Sequence, residues 1–401
     1  MGNKYQTWDN PRCRVLKDLH AEKQGGRMCV QCKGRLWCGL SSCPLLEKIE
    51  IQRPIALKLS KNVFGPSPPN AFVGWSNYPN VSIGPLVSVS EGDAAIYDSP
   101  DKWYGLGFED IIRFRSSLVI GRSRQHVKQK TRLLSDLQDA VMSRKTVDME
   151  VEFDRAPVYS MSYSPISQPM GPSARIEKME LAENPRVPRK VYSAVEEDVR
   201  VRELLPELVS SGIDCYYLQK LLSAGLLGKK QDKKIVPTRW GITATDRMMG
   251  DYFIRQVKEC DAVSDVLVFT NEYLYNHFEI LLLPGPWEFE QFESWAAKTI
   301  WTSQQSKPSI AHEYEPFEGR SDYAVTEGGG YYAGRFACSE GLAQMRKQAR
   351  VVVFREIYEG YQMPVGVWEL RENIRNAFRK APERHAIVKD ALNSISTRLR
   401  H

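Results

Sequence analysis

Met28-Cys29-Val30-Gln31-Cys32-Lys33-Gly34-Arg35-Leu36-Trp37-Cys38-Gly39-Leu40-Ser41-Ser42-Cys43-Pro44 holds four of the chain's eight cysteines, spaced C-x2-C-x5-C-x4-C, just after a Gly-Gly pair able to turn tightly. Four thiolates this close can clamp one tetrahedral ion, with Cys29, Cys32, Cys38 and Cys43 as the ligands. If the protein fills all four positions, no place is left for water, so the ion would be structural and carry no chemistry. An iron-sulfur cluster takes the same donors, but the spacing is ribbon-like rather than ferredoxin-like, so Zn2+ is expected. A disulfide framework belongs to small secreted domains, and nothing here signals secretion. A module confined to residues 1–50 buries little core, so metal binding would supply its folding energy, on the order of 10–16 kcal/mol. Arg12, Arg14, Lys17, Lys23 and Arg27 make a basic approach to it, and Cys13 and His20 are spare ligands.

Outward from this cluster, 401 residues allow two or three domains, and 42% hydrophobic with 10% aromatic residues is ample for real cores. No apolar run is long enough to form a transmembrane helix. The opening Met1-Gly2-Asn3-Lys4-Tyr5-Gln6 has no apolar signal core, and Gln6 stands where a myristoylation signal needs Ser or Thr. A cytoplasmic protein with no membrane partner is expected. Fifty-five basic against forty-nine acidic residues leaves +6, too mild in itself to establish a nucleic-acid partner. The placement of charge along the chain has to decide.

Residues 63–86 are dense in Pro and Gly, which forbid a helix and favour short strands joined by fixed turns. Such a frame presents Phe72, Trp75 and Tyr78 either for stacking on nucleobases or for packing into the core. Residues 113–132 carry Arg113, Arg115, Arg122, Arg124, Lys128, Lys130 and Arg132 without a single acid. Arg113 and Arg115 alternate with Ile112 and Phe114 as in a strand, which Leu118-Val119-Ile120 would carry to a turn at Gly121. A helix follows, with Val127, Leu133 or Leu134, Leu137 and Val141 on its inner face. The cations then fall on the turn and the start of that helix, where a polyanion can dock. If all of them met phosphates, the log–log salt slope would be roughly −6, or about −5 on single strands; the alternative is a solvated face with no ligand.

Val147-Asp148-Met149-Glu150-Val151-Glu152-Phe153-Asp154 alternates apolar and acidic residues, as an exposed sheet face or the acid-bearing strand of a two-metal nuclease would. Rigid connectors at 164–173 and 184–190 lead to a helix over 195–209, kinked at Pro206, and a short helix opened by Asp214. The basic hairpin Lys229-Lys230-Gln231-Asp232-Lys233-Lys234, a short strand at Ile235-Val236 and a helix over 245–258 resemble parts of a winged helix. Strands are expected at 265–270, 278–283 and 350–357, a helix bearing Trp287, Phe292, Trp295 and Ile300, and helices over 368–380 and 382–399. His277 and Glu279 would share a strand face, as an acid/base pair or a structural one.

Arg320-Ser321-Asp322-Tyr323-Ala324-Val325-Thr326-Glu327-Gly328-Gly329-Gly330-Tyr331-Tyr332-Ala333-Gly334-Arg335 places three glycines between arginines. The N–H groups of Gly328, Gly329 and Gly330 can cradle a phosphate flanked by Arg320 and Arg335, although the Lys-Ser/Thr of a Walker loop is missing. A hairpin whose glycines merely allow positive φ has the same sequence.

Taken together, the cysteine cluster with its Leu36-Trp37-Cys38-Gly39 to Cys43-Pro44 end, Ser67-Pro68-Pro69-Asn70-Ala71-Phe72-Val73-Gly74 running to Tyr78-Pro79 and Ile83-Gly84-Pro85-Leu86, Met170-Gly171-Pro172, Arg239-Trp240-Gly241-Ile242-Thr243 and Glu327-Gly328-Gly329-Gly330-Tyr331-Tyr332-Ala333-Gly334-Arg335 resemble the archaeal Nre family of DNA repair proteins. The resemblance covers nearly the whole chain. It implies a role in the archaeal response to DNA damage, with a larger basic N-terminal region over 51–275 and a smaller C-terminal region over 276–401. Many members end in a peptide that docks on the sliding clamp, with Gln, an aliphatic residue and paired aromatics. This chain ends Ser394-Ile395-Ser396-Thr397-Arg398-Leu399-Arg400-His401 without those aromatics, so the resemblance does not extend clamp binding to it.

The expected fold is α+β, a four-cysteine zinc module followed by two mixed α/β regions. The expected function is a repair factor binding DNA or a nucleotide through residues 113–132 and the aromatic loop at Trp75. Two alternatives stand beside it. One is an enzyme acting on DNA or a nucleotide, with Asp322, Glu327 or His277 as its catalytic groups and Mg2+ or Mn2+ as its cofactor. The other is a scaffold that recruits other repair proteins.

Overall fold

The structure, a computed structural model, describes residues 31–37, 43–90, 93–159, 170–297, 299, 302, 305–361 and 363–400. After α1 (Pro44–Ala56) come β1 (Asn62–Ser67), β2 (Ala71–Val73), β3 (Asn80–Ser88), α2 (Phe108–Ser116), β4 (Leu118–His126), α3 (Arg132–Met142), β5 (Val147–Phe153) and β6 (Ser173–Leu181). The six strands form one sheet in the order β1-β5-β6-β4-β3-β2, antiparallel except where β4 meets β6. Alternation in β5 has the expected result: Met149, Val151 and Phe153 join Ile83, Val119 and Leu137 in a core, and Asp148, Glu150 and Glu152 turn away from it. Glu152 there pairs with Lys61 at 3.2 Å, as on a solvated face. A Cβ on Gly84 would stand 2.1 Å from the Gly121 carbonyl oxygen, so glycine is what lets β3 run this close to β4.

Two expectations in this half are corrected. Arg113 and Arg115 lie on α2, not on a strand. Phe108, Ile111, Ile112 and Arg115 recur at helical spacing, and Glu109 and Asp110 fill the first turn where the helix dipole favours acids, which outweighs a short alternation. Gly121 is not a turn either, since β4 runs through it, pairs it with Ala174 and ends at His126.

A helical layer follows: α4 (Arg189–Glu196), α5 (Val201–Ser210), α6 (Cys215–Ser223) and α7 (Thr238–Val257). The single helix expected over 195–209 is two, because the backbone is extended at Glu197 and Arg200. Asp214 caps α6 as expected, accepting the Tyr217 N–H at 2.8 Å. Residues 229–237 form no strand, so the winged-helix likeness is not realised. Instead Ile235 donates its N–H to the Val127 carbonyl at 2.9 Å and Val236 to that of Ser223 at 3.0 Å. Those bonds pin the basic segment beside the end of β4.

The second sheet is built from β7 (Val266–Tyr273), β8 (Asn276–Leu283), β9 (Glu288–Trp295), β10 (Ser309–Glu315), β11 (Arg350–Ile357) and β12 (Glu383–His385), with α8 (Gly329–Met345), α9 (Trp368–Phe378) and α10 (Val388–Ser396) around it. Its strand order is β10-β9-β11-β8-β7-β12. Leu274 and Tyr275, both at positive φ, make the turn between β7 and β8, so residues 51–275 and 276–401 share this sheet. The helix expected around Trp287 and Trp295 is β9: Phe289, Gln291, Glu293 and Ser294 are its buried residues, and two polar side chains, Gln291 and Glu293, alternating on the inner face hid a period of two. Residues 382–399 likewise contain β12 before α10 rather than one helix. Buried Arg371 of α9 grips buried Asp246 of α7 at 2.6 and 2.7 Å, tying the helical layer to this half. Among the described residues no helix is long and apolar enough to cross a membrane.

Candidate nucleic-acid interface

Along β4, Val119 faces the core, whereas Leu118 and Ile120 form a small cluster with Leu86, Phe72 and Tyr97 on the opposite face. Continuing the alternation, Arg122, Arg124 and His126 extend that outer face beyond its apolar cover. The Arg122 guanidinium lies 5.2 Å from the centre of the Phe72 ring, and its Nε has no hydrogen-bond partner among the described residues. Burial lowers the pKa of Arg122 from its ordinary value, which leaves it a charged group poorly served by water. Arg124, Lys128 and Lys130 are exposed.

Two distant segments complete this surface. Ser82 of β3 pairs with Arg124, and its carbonyl accepts the Gly74 N–H at 2.8 Å, which sets Trp75 at the rim. The start of α7 docks here: Thr238 Oγ1 accepts the Val73 N–H at 3.2 Å, Trp240 packs on Tyr78 at 4.9 Å, and the Arg239 guanidinium lies 5.7 Å from the Trp75 ring centre. From the pinned basic segment Lys234 donates to the Tyr78 hydroxyl at 3.1 Å. Among the described residues, Arg122, Arg124, Lys128, Lys130, Lys234 and Arg239 form no ion pair, so their charge is available to an anion. Sequence reasoning did not assign Lys234 or Arg239 to the site; their only signal was a basic cluster and an Arg-Trp pair far along the chain.

Arg113 and Arg115 are elsewhere. Arg113 pairs with Glu109 at 2.9 Å and Asp110 at 3.4 Å on its own helix. Arg115 donates to the Val365 carbonyl at 2.8 Å, lies 5.3 Å from the Trp103 ring centre and is desolvated by burial. Helical geometry turns both away from the β4 face.

The glycine-rich segment opens α8 rather than forming a free loop. Gly328 and Gly330 donate their N–H groups to the carbonyls of Ala324 and Glu327 at 3.0 and 3.2 Å, so two of the three amides are already used within the turn. A Cβ on Gly330 would lie 2.8 Å from Glu293 Oε1, and one on Gly334 would lie 2.1 Å from Gln291 Oε1. These glycines make room for buried polar side chains of β9. Arg335 is buried in a two-point pair with Glu315, both bonds at 2.8 Å, and Arg320 donates to Glu313 at 2.8 Å. Glu327 is buried and accepts a bond from Gln291 Nε2 at 2.7 Å; burial first, then the nearby Glu293, push its carboxyl up to about 10. Asp322 is exposed on the preceding loop, its carbonyl taking a bond from Arg320. His277 is buried on β8, 2.8 Å from Glu279 Oε1, and Glu279 is gripped from its other side by Arg398 at 2.6 and 2.9 Å. The three candidate catalytic groups thus have three different sets of partners.

Of the cysteine cluster, Cys32 and Cys43 are described, while Cys29 and Cys38 lie outside the described residues. Cys32 Sγ accepts the Trp37 N–H at 3.4 Å, a bond suited to a thiolate, and Cys43 is the residue ahead of α1. Among the described residues no group of three or more His, Cys, Asp or Glu could hold a metal ion.

Residues 37–302 match the family described as Archaeal Nre, N-terminal, and residues 315–401 match Archaeal Nre, C-terminal. The chain belongs to the archaeal Nre family. The N-terminal match ends between β9 and β10 and the C-terminal match begins at Glu315, the last residue of β10, although β9 and β10 are paired strands of one sheet. Among similar proteins, the DNA repair protein NreA of Archaeoglobus fulgidus is 38% identical over 374 residues, covering 92% of this chain and 93% of that one. The DNA repair protein NreB of the same organism is 34% identical over 368 residues, 92% of each chain. The DNA repair protein NreA of Haloferax volcanii is 35% identical over 328 residues, 79% of this chain and 78% of the relative. No solved structure matches this Nre chain.

Proposed function

We propose that this Nre protein is a DNA repair factor that holds nucleic acid on the outer face of its first sheet, with a structural Zn2+ on Cys29, Cys32, Cys38 and Cys43. The observation that carries the reading is the gathering of cations that form no ion pair among the described residues, from β4, Lys234 and the start of α7, around half-buried and exposed aromatic rings. Phosphates would replace the missing counter-charges, and such contacts position a nucleic acid without reading its sequence. The names of the relatives supply the process, DNA repair. The N–H that points at Cys32 Sγ fits a thiolate ligand, and four thiolates satisfy a tetrahedral ion with no open position.

The test incubates end-labelled single-stranded, duplex and branched DNA with the metal-loaded protein, with and without Mg2+ or Mn2+, and reads mobility and strand length together. A salt-sensitive shift with intact strands, abolished in the Arg122→Glu, Arg124→Glu double variant, is the expected result. A shift that survives this variant overturns the proposed interface, and metal-dependent shortening would move the reading to a nuclease. For the metal, zinc content is measured before and after Cys32→Ser; unchanged zinc would exclude the assigned ligands.

A further inference from the structure

The indole of Trp75 is the part of this surface that phosphate contacts leave unexplained. It is 50% exposed, although a ring of this size is usually largely buried. The segment that carries it is held firmly. Gly74 donates to Ser82, Asn80 donates to the Asn77 carbonyl at 2.9 Å with Asn77 at φ 63°, Tyr78 packs on Trp240, and Arg239 lies over the indole. A ring displayed on a fixed loop loses little freedom on binding. Across the sheet the order runs Gly74, Ser82, Arg124, so at about 4.8 Å per strand the backbones of Trp75 and Arg124 are on the order of 10 Å apart.

We propose that Trp75 is a stacking platform for an unpaired nucleobase and that Arg122, Arg124 and Arg239 hold the adjoining phosphates, so that the surface prefers single-stranded nucleic acid. This deepens the interface reading and rests on it. In a duplex both faces of an interior base are covered by its neighbours, so the indole has nothing to stack on and only the cations are engaged. A single strand offers base face and phosphate together.

The experiment is fluorescence anisotropy with the full chain and three labelled probes of equal length: oligothymidine, oligouridine and a DNA duplex. Trp75→Ala should weaken single-strand binding by roughly 5- to 150-fold and leave duplex binding unchanged, while Trp75→Phe, which keeps a smaller ring on the same loop, retains most of the affinity. Equal affinity of the two single strands supports recognition of the unpaired base itself, and preference for one assigns the source. Equal loss on single strand and duplex, no loss at all, or a Phe variant as weak as Ala overturns the platform even where Arg124→Glu still abolishes binding. If Arg122→Glu with Arg124→Glu leaves all three probes bound as before, the interface itself fails and the platform with it. Trp75 is half exposed, so an unchanged melting temperature verifies the fold of each variant.

Discussion

Glu327 is a carboxyl that the interior keeps protonated. An unfolded glutamate ionises near 4.5, whereas burial and Glu293 hold the folded group up to about 10. Between those values the folded chain binds one proton more than the unfolded chain. The sign is therefore fixed: this group's contribution is fully present below about 4.5 and is lost as pH rises toward 10. Glu327→Gln, a neutral side chain of the same shape, should flatten the fall in melting temperature across neutral to alkaline pH and melt higher than the parent at the alkaline end. Parallel curves for the two proteins would show that Glu327 is ionised in the fold. The cations divide in a comparable way. Arg124→Ala should lower the salt slope of DNA binding by about 0.7 to 0.9, while Arg113→Ala, whose partners are Glu109 and Asp110, should leave it unchanged. A run of like charges has no direction in sequence, which is why both residues belonged to one candidate site until their elements were known.

Among the elements, α8 shows a glycine that serves packing rather than flexibility. Alanine favours a helix over glycine by about 1 kcal/mol, so Gly334→Ala would ordinarily stabilise α8. Here the new Cβ would stand 2.1 Å from Gln291 Oε1 on β9, and overpacking of this kind costs about 1–3 kcal/mol. The expected outcome is a lower midpoint in urea unfolding; a higher midpoint would mean that Gln291 moves aside without penalty. The same contact explains what was legible. β5 could be read because its acids and apolar residues separate cleanly between two faces. β9 could not, because Gln291 and Glu293 occupy its inner face and only the partners supplied by Glu327, in the turn ahead of α8, and Arg355 of β11 make that tolerable. α2 was misread because four residues of alternation also fit a helix, here one whose buried residues are Ile111, Ile112 and Ser116.

At the scale of the whole molecule, the interface is assembled from positions far apart in the chain, joined by Ile235 to Val127 and Thr238 to Val73. No local pattern encodes such a meeting, so the cations of β4 were visible in sequence and Lys234 and Arg239 were not. α7 begins at this surface and, seven residues beyond Arg239, carries Asp246 into the Arg371 pair with α9. Both charges are out of water, so removing one leaves the other without compensation, at a cost of about 3–5 kcal/mol, whereas removing both with apolar replacements of similar volume costs far less. Asp246→Leu and Arg371→Met should therefore each lower the unfolding free energy strongly, and the double variant should recover most of that loss. The double-mutant cycle in urea measures the difference. Additive losses would show that the two side chains act independently, and α7 would then owe its position to apolar packing around Met249 and Phe336 rather than to the ion pair.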